Sequence, residues 1–165
     1  MIINKIDLEL LVGAEASQFR GLVATVNFLS QDDPVVQFAA KSVSREMATP
    51  TKGSWKRLKK LARFMAGCTE VVWKYGHQGM TEKAKVFTDS DWGGDARDRK
   101  STSGGCWMLG SHCIKTWSST QGAYALSSAE AELYGMVEGV TRSKGLVSLA
   151  SELGFKGLSK TVTLG

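Results

Sequence analysis

VFTDSDW at residues 86–92 and ALSSAEAELYGM at residues 125–136 are the most informative stretches of this chain. In the first stretch an apolar pair leads to Asp89, a pattern typical of a strand that ends on an acid. In the second, serines precede a long helical pattern that carries Glu132 in its first turns. An acid at a strand end that faces an acid on a helix collects negative charge, which a divalent cation would offset. The two stretches therefore predict a metal site.

The helix predicted within the second stretch has recognisable ends. Ser127 and Glu130 form the S-x-x-E capping box, in which the two side chains satisfy backbone N–H groups at the helix start. Gly154 is expected to end the helix. Residues 161–164 (TVTL) then begin what we predict to be another strand.

Three amphipathic helices are predicted upstream of these stretches. Apolar residues at helical spacing predict the first over residues 19–30. Asp33 as N-cap and Pro34 in the first turn start the second helix, and Pro50 stops it. The third is predicted over residues 54–67, with a glycine as its terminator.

Short β-type runs replace the helical spacing further along the chain. EVVWKY (70–75) and KAKVFTD (83–89) are predicted strands. Residues 93–105 are polar and rich in glycine, which predicts an exposed loop. The runs GCWML and HCIKTW can pair as a hairpin across Gly110 and Ser111, where a leading glycine suits a type II′ turn.

This change of pattern predicts two domains, a helical segment over residues 1–68 and a second domain over residues 69–165. Helices followed by a β-β-β-α-β order indicate an α+β fold with a mixed sheet. The sheet leaves an open edge at residues 161–164, so we expect marginal stability or self-association.

Composition restricts the class of protein. The 165 residues are 42% apolar and 22% charged, as in soluble globular proteins, and no apolar run is long enough to span a bilayer. Three cysteines form no C-x-x-C pair and two histidines lack zinc-ligand spacing, so reduced thiols and a location that is not secreted are expected. The net charge of +5 favours polyanionic partners.

Positive charge is concentrated in the third predicted helix. Its six cations repel one another and have no acid among them, so phosphates of a template–primer duplex would relieve the repulsion. A plain solvated face is the alternative reading. The cationic positions are Lys52, Lys56, Arg57, Lys59, Lys60 and Arg63.

Several polar residues near Asp89 in the sequence have two possible roles each. Ser101, Thr102 and Ser103 in the predicted loop could donate hydrogen bonds to a nucleic-acid backbone, although a serine-rich loop needs no function. Asp91 could assist a metal or line the rim of the site, and we favour the rim.

The strings VFTDSDWGGDARDRKSTSGG and WSSTQGAYALSSAEAELYGM, with the spacing between them, resemble the ribonuclease H domain of copia-type retrotransposon Pol polyproteins. Residues 20–75 resemble the end of the reverse transcriptase that precedes that domain, a thumb- or connection-like segment. The resemblance implies a ribonuclease H-like mixed sheet that hydrolyses the RNA strand of RNA–DNA hybrids. It also implies two Mg²⁺ ions as cofactors, with Mn²⁺ as a substitute.

The resemblance assigns catalytic and metal-binding roles to Asp89 and Glu132. Glu130 is the weaker candidate because the capping box can employ it. The two later acids of the family site have no match, because the chain ends at Gly165, before the fourth strand would be complete. We therefore expect this ribonuclease H-like domain to be incomplete at its C-terminus, and cleavage by the chain alone to be negligible.

The partners implied by the resemblance are an RNA–DNA hybrid, a template–primer duplex and the rest of the Pol polyprotein, in a cytoplasmic retroelement particle or in the nucleus. No membrane partner is expected. Two alternatives stay open: a catalytically dead, nucleic-acid-binding remnant of a degenerate element, and a segment that docks other polyprotein domains. The oligomeric state is open as well.

Overall fold

The computed structural model describes residues 5–79, 81, 83–95, 98–155, 158 and 160–164. These residues form two compact units, one that ends at Val72 and one that begins at Trp73. The sequence prediction places this division after residue 68.

The first unit is helical, as predicted. A short 3₁₀ helix, Lys5–Leu8, precedes α1 (Gly13–Leu29), α2 (Pro34–Ser44) and α3 (Lys52–Gly67). The helix α1 begins before the predicted residue 19, and α2 ends ahead of Pro50.

Side-chain caps fix the starts of α2 and α3. The Asp33 carboxylate accepts a hydrogen bond from the Val35 N–H at 3.0 Å, which confirms the predicted cap of α2. In α3 the cap is Thr51, because its hydroxyl accepts from the Ser54 N–H at 3.1 Å while the Ser54 hydroxyl accepts from the Thr51 N–H at 3.0 Å. Ser54 therefore lies inside the helix that it was predicted to begin.

The core of the first unit lies between its three α-helices. Phe19 and Val23 of α1 are fully buried, together with Val36 of α2 and Leu58 of α3. Burial of each such side chain contributes about 1.5–3 kcal/mol, so this small core holds the helices together.

The second unit contains a mixed four-stranded sheet in the order β3-β2-β1-β4. Its strands are β1 (Lys83–Asp91), β2 (Thr102–Leu109), β3 (His112–Thr120) and β4 (Lys160–Leu164). Strand β2 is antiparallel to both β1 and β3, whereas β4 is parallel to β1. The α+β class with a mixed sheet is confirmed.

The predicted strand over residues 70–75 is wrong, because residues 68–79 adopt no regular structure. Side-chain hydrogen bonds, rather than backbone pairing, attach this segment to the hairpin. The Tyr75 hydroxyl donates to the Cys113 carbonyl at 3.3 Å, and the Gln78 amide donates to the Leu109 carbonyl at 3.0 Å.

The predicted hairpin is confirmed. Strands β2 and β3 pair across Gly110, whose φ of 61° is the left-handed conformation that a leading glycine supplies in a type II′ turn. The loop predicted over residues 93–105 is shorter, because β2 begins at Thr102, and its residues 96 and 97 lie outside the described residues.

Helix α4 (Ser128–Glu152) covers one face of this sheet. The Ser127 hydroxyl caps it by accepting from the Glu130 N–H at 3.1 Å, and the chain leaves the helix at Gly154 with a φ of 91°. Trp107 and Trp117 lie in the core between α4 and the sheet, as expected for tryptophans on strands. Among the described residues, no helix combines the length and apolar character needed to cross a membrane.

Candidate functional site

The close approach of α4 to β1 sets the geometry of the candidate site. Gly135 and Gly139 of α4 are buried against β1. A Cβ atom at Gly139 would lie 2.5 Å from Cγ2 of Thr88 and 3.0 Å from Cγ1 of Val86, so only glycine fits without a shift. A Cβ atom at Gly135 would lie 3.8 Å from the carbonyl oxygen of Asp89. The helix therefore rests directly on the strand at the predicted acid.

Asp89 is exposed near the end of β1, and its carboxylate accepts a hydrogen bond from the Ser90 N–H at 2.9 Å. The side chains of Val86 and Thr88 face α4, and successive side chains of a strand point to opposite faces. The Asp89 side chain thus leaves the strand on the face away from α4. The alternation of side chains along β1 therefore does not direct the Asp89 side chain towards Glu132. That the two acids share a cation stays a prediction.

Glu132 is exposed in the second turn of α4, one turn before Gly135. In the described part of the chain, no group donates a hydrogen bond to its carboxylate. Glu130 is engaged, because its carboxylate accepts from the Tyr134 hydroxyl and from the Leu126 N–H, each at 2.7 Å. These two hydrogen bonds lower the pKa of Glu130, that from Tyr134 most. Glu132 is therefore the acid on this turn that is free to bind a ligand.

The donor chemistry of these two residues suits Mg²⁺ or Mn²⁺, which prefer carboxylate oxygens. Within the described ranges, no group of three or more His, Cys, Asp or Glu side chains lies close enough to hold a metal ion. Asp91 is not a third free acid, since its carboxylate accepts from the Thr102 N–H at 2.7 Å. Asp91 thus joins the end of β1 to the start of β2.

A buried polar cluster that the sequence did not predict lies beside the two acids. The Gln121 side-chain amide donates to the Ser103 hydroxyl at 2.9 Å and to the Ala131 carbonyl at 2.7 Å. Ser103 pairs with Ser90, next to Asp89, and Ala131 precedes Glu132. Gln121 therefore connects β2, the strand that pairs with β1 beside Asp89, to the helical turn that carries Glu132.

No local signal marks Gln121 in the sequence. A single glutamine after a run of serine and threonine is typical of an exposed loop, and only the folded sheet brings it against α4. Its side chain is almost fully buried.

The exposed loop predicted at Ser101, Thr102 and Ser103 is wrong, because all three side chains are buried. The Ser101 hydroxyl accepts from the Gly93 N–H at 3.0 Å, and the Ser103 hydroxyl accepts from Gln121. Thr102 and Ser103 belong to β2 and pair with β1, and the Ser103 hydroxyl lies beneath α4 at Gly135. Their burial leaves these side chains inaccessible to a nucleic acid.

The predicted cationic residues Lys56, Arg57, Lys59, Lys60 and Arg63 are all exposed on α3. Acids from other segments neutralise part of this charge, which sequence spacing on the helix could not reveal. Lys52 pairs with Glu9 at 2.7 Å, Lys56 with Asp7 at 2.6 Å and Arg57 with Glu46 at 2.5 Å. The predicted repulsion among six unpaired cations is therefore overestimated.

The remaining cations of α3 have no acidic partner in the described part of the molecule. The Lys59 ammonium lies over the Trp55 ring, 5.7 Å from its centroid, whereas Lys60 and Arg63 face solvent. Exposed cations of this kind can contact phosphates without regard to sequence.

Comparison with known proteins finds retrovirus-related Pol polyproteins from plant transposons. The retrovirus-related Pol polyprotein from transposon RE2 of Arabidopsis thaliana is 31% identical over 142 residues, which are 86% of this chain and 10% of that protein. The Pol polyprotein from transposon RE1 of the same plant is 30% identical over the same lengths. The chain is thus similar to a segment of retrovirus-related Pol polyproteins from plant transposons. It spans about a tenth of the length of these two Pol polyproteins.

A shorter relative is similar to part of the chain. The secreted RxLR effector protein 161 of Plasmopara viticola is 30% identical over 105 residues, which are 64% of this chain and 73% of that protein. No protein-family model matches the chain, and no solved structure matches it.

The stretch shared with the Pol polyproteins includes the candidate site. Since 142 of the 165 residues match the RE2 Pol polyprotein, the matched stretch contains both Asp89 and Glu132, whichever end the unmatched residues occupy. The candidate site therefore lies within the stretch that is similar to the Pol polyproteins.

Proposed function

We propose that this Pol segment is of the copia type and joins the end of a reverse transcriptase, thumb- or connection-like, to a ribonuclease H-like domain that begins near residue 69. In this proposal Asp89 and Glu132 bind Mg²⁺ and take part in hydrolysis of the RNA strand of an RNA–DNA hybrid. The mixed α+β fold and the Pol relatives support the proposal.

One observation carries the proposal. Gly135 packs against the backbone of Asp89, and Glu132 lies one turn earlier on the same helix with its carboxylate free. The acid of the strand end and the free acid of the helix therefore lie on directly packed elements. The donor atoms are those that Mg²⁺ selects.

The chain's own residues would contribute anionic oxygens and their placement. When bound, the cation would polarise a phosphodiester and lower the pKa of a water. Asp89 and Glu132 would hold it, with Mn²⁺ as a substitute, and Gln121 would keep α4 in register with β2. The exposure of both acids leaves room for a polyanionic strand.

Nucleic-acid contact would fall to the exposed cations of α3. Lys59, Lys60 and Arg63 lack acidic partners in the described part, and the largely exposed pair of Lys56 with Asp7 contributes little. Arg57 is exposed as well, but it also neutralises the buried carboxylate of Glu46. A template–primer duplex or hybrid would bind there with an affinity that falls as salt rises. The rest of the polyprotein would be a further partner. The segment would act in a cytoplasmic retroelement particle or in the nucleus.

Hybrid cleavage by a Pol protein that contains this segment tests the proposal. We expect Asp89→Asn and Glu132→Gln each to lower the Mg²⁺-dependent rate by on the order of a hundredfold, because metal ligands act in the transition state. Glu152→Gln, an exposed acid at the far end of α4, is the matched control and should leave the rate unchanged.

Cleavage that persists at the wild-type rate in Asp89→Asn would contradict the proposed site. Hybrid binding without cleavage, unaffected by loss of both acids, would instead favour the dead nucleic-acid-binding remnant.

A further inference from the structure

An open apolar groove of about 500 Å³ lies between α2 and α3 in the helical unit. Its floor is formed by core residues, and its walls by exposed residues of the same two helices. The floor residues are Val36, Val43 and Leu61, and the wall residues are Val35, Phe38 and Phe64.

The walls of this groove expose more apolar surface than a solvated helix face needs. Val35 is 70% exposed, Phe38 56% and Phe64 46%. Exposed apolar area costs about 25 cal/mol per Å² relative to burial, so an occupant that covers these side chains gains free energy. Contiguous apolar patches with a polar rim mark interaction sites.

Charge at the edge of the groove specifies the chemistry of the occupant. Arg57 and Lys60 line it, and no acidic side chain is among the described residues of its lining. Arg57 is paired with Glu46, but Lys60 has no acidic partner in the described part of the chain. Arg63 lies one turn further along α3, exposed and equally unpaired. The edge therefore favours an occupant that carries acids.

We propose that this groove binds an amphipathic helix of a partner polypeptide, with apolar residues on one face and acids along its flank. Helices that enter such grooves insert side chains spaced at i, i+3 or i+4, and i+7, and here the apolar lining residues come from two neighbouring helices. A nucleic acid fits this groove poorly, because phosphates would lie against phenylalanine and valine. Nucleic acid would instead use the whole cationic face of α3, including Lys56 and Lys59.

A fluorescence titration of the full chain with synthetic helices tests the proposal. The probe is an amphipathic peptide of about 15 residues with leucines on one face and glutamates on the flank. A covalent side-chain staple keeps this peptide helical, because a helix of this length is marginal in water. The matched peptide carries lysines in place of the glutamates. We expect the acidic peptide to bind about tenfold more tightly or better, a difference of about 1.4 kcal/mol.

Two matched pairs of variants locate the binding. Lys60 lines the groove, so Lys60→Glu should weaken binding of the acidic peptide by about tenfold. Lys59 lies on the same helix but outside the lining, so Lys59→Glu should change the affinity for that peptide less than about twofold. Phe64→Ala should weaken it similarly, whereas Phe28→Ala, 75% exposed on α1, should not. These side chains are exposed, and a thermal melt of each variant checks the fold.

Equal losses for Lys59→Glu and Lys60→Glu, with tighter binding of a DNA duplex than of the peptide, would overturn the proposal in favour of nucleic acid. Peptide binding unaffected by Phe64→Ala would overturn it too. So would sedimentation that shows a dimer which Phe64→Ala dissociates, because a second copy would then be the occupant.

Discussion

At the scale of single residues, two glycines of α4 have opposite requirements. Gly139 faces Thr88 and Val86 of β1 at distances that exclude a Cβ atom, whereas Gly145 has open space around it. Gly139→Ala should lower the free energy of unfolding by about 1–3 kcal/mol through overpacking. Gly145→Ala should raise it by roughly 0.5–1 kcal/mol, because alanine favours the helix. Denaturant unfolding measures both, and a Gly139→Ala chain as stable as wild type would contradict the close packing of α4 on β1.

Gln121 is the second residue on which the site depends. Gln121→Ala leaves the Ser103 hydroxyl and the Ala131 carbonyl buried without their donor, which costs about 1–3 kcal/mol. Hydrogen exchange should speed up most in the first turns of α4, which this side chain attaches to β2. Gln121→Glu keeps the size of the side chain and replaces the donor by an acceptor. It should therefore lower the stability at least as much as Gln121→Ala does. Uniform exchange changes across both units would argue against a local role.

The pKa of Glu130 depends on two hydrogen bonds to its carboxylate. The Tyr134 hydroxyl and then the Leu126 N–H lower the pKa of Glu130, so the carboxylate form favours the folded helix. This contribution is present above the unfolded-state pKa and is lost as pH falls through the lowered folded-state pKa. Tyr134→Phe should therefore raise the pKa of Glu130 towards its ordinary value. An NMR titration of the Glu130 carboxyl measures this, and an unchanged pKa would show that the hydroxyl does not donate to it.

At the scale of elements, the capped helices and the hairpin followed from local chemistry. Asp33, Ser127 and Gly110 act where the sequence predicted, because caps and tight turns depend on neighbouring residues alone. Residues 70–75 have the composition of a strand yet form none, because a strand needs a partner and here side chains tie the segment to the hairpin.

At the scale of the whole molecule, sequence spacing could not predict contacts between distant segments. The sequence predicted the strand that carries Asp89 and the helix that carries Glu132. It did not predict that Asp7, Glu9 and Glu46 pair with cations of α3, nor that the serines at the start of β2 are buried. The ion pairs and the burial of these serines depend on tertiary folding. Tertiary folding also forms the exposed apolar groove between α2 and α3.

Mn²⁺ titration with NMR detection of the labelled carboxyl carbons tests the claim that Asp89 and Glu132 share one cation. We expect both signals to broaden with one common affinity. Glu132→Gln should weaken Mn²⁺ binding at Asp89 by about tenfold or more, since ligands of one ion are coupled, and Glu152→Gln should leave it unchanged. Mn²⁺ binding at Asp89 with the same affinity in wild type and Glu132→Gln would contradict the claim.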